Sequence, residues 1–203
     1  MKENGFEYVD LGLASGTMWA TCNVGATKPE DDGLLFQFGR VDGYRYVDTN
    51  NKFRINAQNL EDGSTSEYIP LTPSYKTYKV NDILDLADDA AHVNMGGKWR
   101  MPTRTQYMEM FNNTTHKVET INGVKGMLFT SKINNKRLFV PFAGYWYNGS
   151  FAAAESLANM WSSQVRPFNA DCACSLSCYS SDFVSIDSSL RSYAFSVRGV
   201  FQV

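Results

Sequence analysis

Four cysteines are the residues of this chain that could carry thiol or metal chemistry. Cys172, Cys174 and Cys178 fall within seven residues, whereas Cys22 lies far away in the sequence. Cysteines at such close spacings on a strand do not bridge readily, so they do not predict a disulfide framework. A zinc site would need a recognised ligand spacing and a second pair of ligands. We therefore interpret the four cysteines as free thiols, predict no metal and no other cofactor, and keep a metal site as the alternative.

The histidines and the paired serines offer no catalytic grouping. His92, His116, Ser162 and Ser163 stand at spacings to which the roles of nucleophile, base and orienting acid cannot be assigned. The Asp-Gly pairs lack the spacing of a calcium-binding EF-hand and predict turns. No catalytic residue is predicted, and we expect that the chain is not an enzyme.

The segment 165–194 differs in composition from the rest of the chain. Its thirty residues include no Lys, Glu, Gln, Met or Trp, although these five types fill 35 of the other 173 positions. Randomising the adenines of asparagine codons yields Ser, Asp, Cys, Ala, Phe, Tyr, Leu, Arg, Ile, Val and Pro. It never yields the five absent types. The segment therefore fits products of adenine-directed mutation, and a serine-rich hairpin that lacks these types by chance is the alternative.

Length and charge restrict the classes of protein. The chain has 203 residues, 43% hydrophobic and 20% charged, which suits one folded domain over residues 1–203. Its net charge of -2 leaves no basic stripe for nucleic acid. No apolar stretch is long enough to span a bilayer, and the start lacks the apolar segment of a signal peptide. We expect no nucleic-acid partner and no membrane insertion.

The pattern of turns and apolar residues predicts an α+β domain. Strands are expected first, then a helix from about Asn81 or Asp82 to Gly96, and a second helix that Thr103 and Gln106 begin with a capping box. A hairpin turning at Asn134 and further antiparallel strands follow. Residues 44–80 are expected to form a long irregular insert, which is polar and contains two prolines.

Six stretches, in order along nearly the whole chain, resemble a known group of proteins. They are YVDLGLASGTMWATCNVGA at 8–26, GGKWRMPT at 96–103, NGVKG at 122–126, PFAGY at 141–145, WSS at 161–163 and FSVR at 195–198. Together they resemble the variable proteins of diversity-generating retroelements in gut Bacteroidetes and their phages.

This resemblance implies a C-type lectin-like fold related to formylglycine-generating enzymes, with two helices and short antiparallel sheets. It also implies that residues 160–203 form a variable C-terminal segment, rewritten by adenine-directed mutagenic retrotransposition and displayed for ligand binding. Two departures are Cys174 and Cys178, where many relatives carry Tyr or Phe. The calcium-dependent sugar-binding motif of true C-type lectins does not appear, so the resemblance does not imply calcium-dependent sugar binding.

Alternation along the terminal strands selects the residues that would contact a ligand. Leu176, Val184, Ile186, Cys174 and Cys178 are expected to point inward. The predicted ligand-binding residues point outward or lie in loops: Arg166, Phe168, Asn169, Asp171, Ser175, Ser177, Tyr179, Asp182, Phe183, Ser185, Asp187, Ser188, Ser189, Leu190, Arg191 and Ser192. The bland interpretation is that these are ordinary solvated strand residues.

The expected partner is a protein or glycan ligand, most naturally on a cell surface, and the expected location is a phage virion or a bacterial cell surface. Two alternatives remain. One is an undiversified cell-surface adhesin module. The other is an enzyme of the formylglycine-generating type, which would need a reactive cysteine pair or a copper-binding thiol site.

Overall fold

The computed structural model describes residues 1–48, 53–57, 78–147 and 150–203, and most of the ordered secondary structure is β-strand. Strands account for 47% of the residues and helices for 11%. The expected α+β class with a C-type lectin-like fold is therefore wrong. Within the described ranges only two α-helices occur, and both are short. The apolar side chains are buried mainly between curled sheets, so the helices are additions to a largely β fold.

The elements are numbered in chain order. The strands before the helices are β1 (Lys2–Glu3), β2 (Phe6–Asp10), β3 (Thr17–Asn23), β4 (Leu35–Gln37), β5 (Tyr44–Asp48) and β6 (Phe53–Ala57). A 3-10 turn (Leu86–Asp88) precedes α1 (Ala90–Met95) and α2 (Arg104–Asn113). The remaining strands are β7 (Thr114–Ile121), β8 (Val124–Ser131), β9 (Arg137–Pro141), β10 (Tyr145–Tyr147), β11 (Ser150–Ala152), β12 (Leu157–Val165), β13 (Cys172–Tyr179), β14 (Val184–Leu190), β15 (Ala194–Ser196) and β16 (Arg198–Gln202).

The strands form three sheets. The first has the order β1-β2-β3-β16, so the C-terminal strand pairs with an N-terminal one. The largest has the order β14-β13-β12-β15-β4-β5-β6, with β10 and β11 joined through β15. The third is the antiparallel meander β7-β8-β9. The segment of unusual composition therefore supplies β13 and β14, which lie at one edge of the largest sheet.

The first predicted helix begins later than expected. Residues 81–85 are not helical, because Leu84 N donates a 2.9 Å hydrogen bond to Ser163 O at the end of β12. Helix α1 starts only after Asp89, whose side chain accepts from His92 N at 2.9 Å. Pairing with β12 thus outweighs the helical spacing of the apolar residues.

The second helix and the hairpin after it are confirmed. Thr103 and Gln106 form the predicted capping box at the start of α2. Strands β8 and β9 pair antiparallel around the turn that contains Asn134. Tyr107 and Met110 on this helix are buried, whereas Met108 is exposed. Local signals were sufficient here because both features depend on residues close together in sequence.

The expected irregular insert over 44–80 is wrong in part. Strands β5 and β6 lie in it and pair antiparallel over five residue pairs. Residues 49–52 and 58–77 lie outside the described part of the chain, so the remainder of this prediction stays untested.

Two large apolar clusters form the core. The first centres on Trp99, Trp161 and Phe195, and the second on Trp19 and Tyr107. The two clusters lie on opposite sides of β12 and β13, so these strands are covered on both faces. Such double coverage is typical of interior strands and leaves little of their side chains for solvent.

Arg198 shows how completely the last strands are enclosed. Ala194, Ser196 and Arg198 alternate with the apolar residues of the last strands, and all three are buried as well. The Arg198 guanidinium donates two hydrogen bonds to Asn23 Oδ1, at 2.9 and 2.7 Å, and others to backbone carbonyls. Burial lowers its pKa to about 10, so it remains charged at neutral pH.

Candidate ligand-binding surface

Strand β13 is buried on both faces because one apolar cluster packs on each face, the first against Ala173 and the second against Leu176 and Cys178. Leu176 and Cys178 pack into the second apolar cluster, as expected of inward residues. Ser175 and Ser177 point the other way but are only 0% and 5% exposed. Ala173, on the same face, belongs to the first cluster. The predicted outward position of Ser175 and Ser177 is therefore wrong, since both faces of this strand are covered.

The two buried serines differ in their hydrogen bonds. Ser177 Oγ donates a 2.6 Å hydrogen bond to Asn159 Oδ1 on the neighbouring strand. Ser175 Oγ is buried and has no hydrogen-bond partner among the described residues. Ser177 thus satisfies the buried side-chain oxygen of Asn159, which lies outside the segment, whereas Ser175 satisfies no such group.

Strand β14 is the edge of the sheet and is more accessible. Val184 is buried and Ile186 is half-buried, in agreement with the predicted inward side. Asp187 and Leu190 are exposed, while Ser185, Ser188 and Ser189 are half-buried. The edge position leaves one flank of the strand uncovered by the described residues. Its side chains remain candidates for ligand contact.

The loop 166–171 presents its predicted residues to solvent. Arg166, Phe168, Asn169 and Asp171 are all exposed. The loop backbone is nevertheless fixed, because Arg166 N donates to Cys172 O at 2.9 Å and Asp171 N donates to Asn169 Oδ1 at 3.0 Å. A loop with a fixed backbone and exposed side chains suits ligand recognition, because the backbone loses little conformational entropy when a ligand binds.

Phe168 is the most exposed apolar side chain of this loop, with 99% of its surface accessible. Its φ of 71° lies in the left-handed region, where a residue with a side chain is strained. The strain costs free energy in the folded chain, and the exposed ring gains no burial that would offset this cost. Together they mark Phe168 as a candidate contact residue.

The turn between β13 and β14 carries a second exposed group. The rings of Tyr179 and Phe183 lie 5.6 Å apart, and both are exposed. Asp182 is also exposed, and its carboxylate accepts a hydrogen bond from Val118 N on β7. This contact ties the turn to the three-stranded sheet.

Arg191 and Ser192 are not surface residues. Both are only 8% exposed, so their predicted outward position is wrong. The Arg191 guanidinium lies over the rings of Phe38 and Tyr78, at 5.4 and 5.7 Å from their centroids. Ser192 O accepts a 2.9 Å hydrogen bond from Gln37 Nε2. These residues join the end of β14 to the core.

Apart from Asp187 in the middle of β14, the exposed candidates form two groups at opposite ends of the β13–β14 hairpin. The first, which we call the loop end, comprises the loop 166–171 and Leu190. The second, the hairpin tip, comprises Tyr179, Asp182 and Phe183. A strand rises about 3.4 Å per residue, so the eight residues of β13 separate the two groups by roughly 24 Å. A small ligand touches one group, and only a macromolecular ligand spans both.

An aromatic surface formed by Tyr193, at the end of the segment, with Tyr145 and Tyr147 outside it was not predicted. The rings of Tyr147 and Tyr193 stack at 4.0 Å with an interplanar angle of 7°, and Tyr145 lies 5.5 Å from Tyr193. All three are half-buried. Burial, then the neighbouring phenols of Tyr147 and Tyr145, raise the pKa of Tyr193. The sequence contained one signal for this surface. Tyr145 and Tyr147 alternate with Trp146 along a strand, and this spacing places both tyrosine rings on the same face.

The cysteines of β13 are poorly suited to nucleophilic chemistry. Cys172, Cys174 and Cys178 are buried free thiols. Burial raises the pKa of Cys174 and of Cys178, which favours the neutral thiol over the reactive thiolate. Among the described residues no group of three or more His, Cys, Asp or Glu side chains is arranged to hold a metal ion. No described helix is both long and apolar enough to cross a membrane.

A groove within the described structure borders the segment. It has a volume of about 240 Å³, lies between α2 and β14, and is lined by Arg104, Met108, Phe111, Asn112, Val184 and Ile186. Larger cavities of about 360, 630 and 580 Å³ occur elsewhere, and no residue of 165–194 lines them. Because only the groove beside β14 among these concavities is lined by residues of the segment, it is the relevant one for the predicted ligand-binding residues.

Comparison of the chain with protein-family models, with curated proteins and with solved structures found no significant match.

Proposed function

We propose that this chain is a non-enzymatic ligand-binding protein that presents diversified side chains on its C-terminal segment. We further propose that adenine-directed mutagenic retrotransposition produces the diversity. The carrying observation is the division of residues 165–194 into a buried set, which fills the sheet, and an exposed set at the loop end, the hairpin tip and the outer part of β14.

This division is what a tolerant scaffold needs. Substitutions at exposed positions away from special features change stability by about 0.5 kcal/mol or less. Substitutions at buried positions such as Leu176 create cavities or overpacking, which cost several times more. Variation is therefore compatible with folding at the exposed positions, and these carry ligand specificity.

The exposed set has the composition of a recognition surface. Phe168, Tyr179, Phe183 and Leu190 are large, exposed and apolar. Arg166 and the exposed aspartates supply charge, and the serines of β14 supply hydrogen bonds. Large planar side chains give contact area at low entropic cost, and the polar residues around them give selectivity.

The separation of the two exposed groups favours a macromolecular ligand. A typical protein–protein interface buries about 800 Å² on each partner, a patch wide enough to include both the loop end and the hairpin tip. A protein on a cell surface is therefore the ligand that the surface suits best, and a glycan is the second choice.

A binding screen against cell surfaces and glycans tests the proposal. The purified protein is compared with a Phe168→Ser/Phe183→Ser double variant and with Ile133→Ser, which changes an apolar residue outside the segment that is about as exposed as Phe183. We expect the double variant to lose the ligand and Ile133→Ser to keep it. A ligand bound equally by all three proteins would support the undiversified adhesin instead.

The gene provides the test of the diversification step. We expect codons that end in a pyrimidine at the exposed positions, a near-identical template repeat nearby that carries asparagine codons at the matching positions, and a gene for a reverse transcriptase. Absence of both the repeat and such codons would remove the retroelement from the proposal and leave the binding surface to stand alone.

A further inference from the structure

Strand β14 has an unpaired edge. It pairs with β13 over seven residue pairs, from Cys178↔Val184 to Cys172↔Leu190, and is the last strand of its sheet. Among the described residues no strand pairs with its other edge. An exposed strand edge is a template for another extended chain, and folded proteins commonly cover or block such edges.

The hydrogen bonds that flank the hairpin identify which backbone groups lie on this edge. Tyr179 N donates to Phe183 O at 2.8 Å, and Arg191 N donates to Asp171 O at 3.0 Å. Because hydrogen-bonding direction alternates along an antiparallel pair, Ser185, Asp187 and Ser189 direct their backbone groups toward β13. The backbone groups of the even-numbered residues, Val184, Ile186, Ser188 and Leu190, therefore point outward.

Two of these outward groups have partners within the chain. Ser188 N donates to Asp187 Oδ1 at 2.8 Å, and Leu190 O accepts from Tyr193 N at 3.0 Å. Within the described structure the outward N–H groups of Val184, Ile186 and Leu190 have no hydrogen-bond partner. These unpaired amide donors lie along one edge of the strand, where they can pair with the carbonyl groups of an extended peptide backbone.

The side chains beside this edge specify the residues of an incoming strand. Val184 and Ile186 line the 240 Å³ groove together with Met108 and Phe111 of α2. A residue paired with Ile186 places its side chain on the same face and so enters this groove. Asp187 is exposed on the opposite face, where a residue paired with it is favoured when it carries a positive charge.

We propose that the edge of β14 docks an extended segment of the protein ligand as an additional strand. The docked segment places an apolar side chain in the groove and a lysine or arginine opposite Asp187. This inference rests on the proposed function and names the binding mode of the same surface. Backbone hydrogen bonds then supply affinity that does not depend on the diversified side chains, and the exposed side chains select the partner.

A second copy of this chain is a poorer occupant. Strand β14 contains no lysine or arginine, so a second β14 has no cation to place opposite Asp187. A strand of different sequence must therefore supply the lysine or arginine opposite Asp187.

A titration of the isotopically labelled protein, followed by NMR, tests the docking. The probe is a capped heptapeptide that alternates valine and lysine, and the matched control is the same peptide N-methylated at its alternate backbone amides. We expect saturable shifts at roughly millimolar peptide. The amides of Val184, Ile186 and Leu190 should move more than those of Ser185, Asp187 and Ser189. The N-methylated peptide should cause no such shifts.

Three variants sharpen the test. Ile186→Pro removes an outward N–H that β13 does not use and should weaken binding about tenfold or more, whereas Ile186→Val should stay within about twofold. Asp187→Lys should reverse the preference toward a peptide that alternates valine and glutamate. If Ile186→Pro fails to fold, the N-methylated peptide and the Asp187→Lys variant still test whether a peptide docks on the edge of β14.

Three outcomes overturn the docking: no shifts at millimolar peptide, equal shifts with the N-methylated peptide, or broadening of the same amides with protein concentration alone, which would assign the edge to a second copy. If the titration fails while Phe168→Ser/Phe183→Ser still loses a screened ligand, the proposed function stands without the added strand.

Discussion

Ser177 Oγ donates a 2.6 Å hydrogen bond to Asn159 Oδ1 across strands β13 and β12, in a site where both residues are buried. Ser177 lies in the segment of unusual composition and Asn159 lies outside it. The segment therefore contributes to the interior as well as to the surface, and its buried serines should not tolerate change equally.

Replacing Ser177 by alanine should destabilise the fold more than replacing Ser175. The Ser177→Ala change leaves Asn159 Oδ1 buried without its donor, which should lower the free energy of unfolding by about 1–3 kcal/mol. Ser175 Oγ has no partner to lose, so Ser175→Ala should be near neutral or stabilising. Urea denaturation of both variants measures the difference, and equal losses would contradict this assignment of the hydrogen bond.

Replacing Phe168 by glycine should separate stability from binding. Glycine relieves the strain at φ 71°, so the free energy of unfolding should rise by up to about 1 kcal/mol, while ligand affinity should fall at least about tenfold. Phe183 is the matched control because it is also an exposed phenylalanine but does not have a positive φ.

In the control, Phe183→Gly should lower stability, since glycine there brings only added entropy in the unfolded chain. Thermal denaturation and the cell-surface screen measure the two effects. A loss of stability in Phe168→Gly equal to that in Phe183→Gly would show that the loop backbone is not strained.

Asp89 should give the fold a defined pH dependence. Burial raises the pKa of Asp89 above its usual value, although amide hydrogen bonds from His92 and Met101 oppose the shift. A raised folded pKa means that protonation favours the folded state. The stabilising contribution is fully present below the unfolded pKa of about 3.9 and is lost as pH rises through the folded pKa.

The stability of the natural protein relative to Asp89→Asn should therefore increase as pH falls from 7 toward 4. Urea denaturation of both proteins across this range gives the difference at each pH. A difference that stays constant, or that shrinks on acidification, would mean that burial does not control this carboxyl group.

The thiols should react at very different rates. Cys22 is half-buried, whereas Cys172, Cys174 and Cys178 are buried and the last two have raised pKa values. In the native protein a thiol reagent should modify one cysteine quickly and three slowly. Cys22→Ser should abolish the fast phase. A fast phase that persists in that variant would reveal a reactive thiol on β13 and reopen the enzyme alternative.

The sequence predicted the local features and some of the surface. The capping box at Thr103, the hairpin at Asn134 and the exposure of Phe168 were all correct, because each depends on residues near in sequence or on a polar loop. The first helix was misplaced because the residues before Asp89 are held by contacts with β12. The fold class was wrong because strands predominate over the two short helices. No local pattern contains that information.

The sequence by itself revealed the unusual composition of the segment 165–194. It also showed the alternation of side chains that predicts strands at β13 and β14. Only the tertiary structure decided that β13 is an interior strand with Ser175 and Ser177 enclosed, that Arg191 packs on Phe38, and that β14 is left at the edge. Alternation assigns a side chain to one of two faces. Whether a face meets solvent depends on which distant elements cover it.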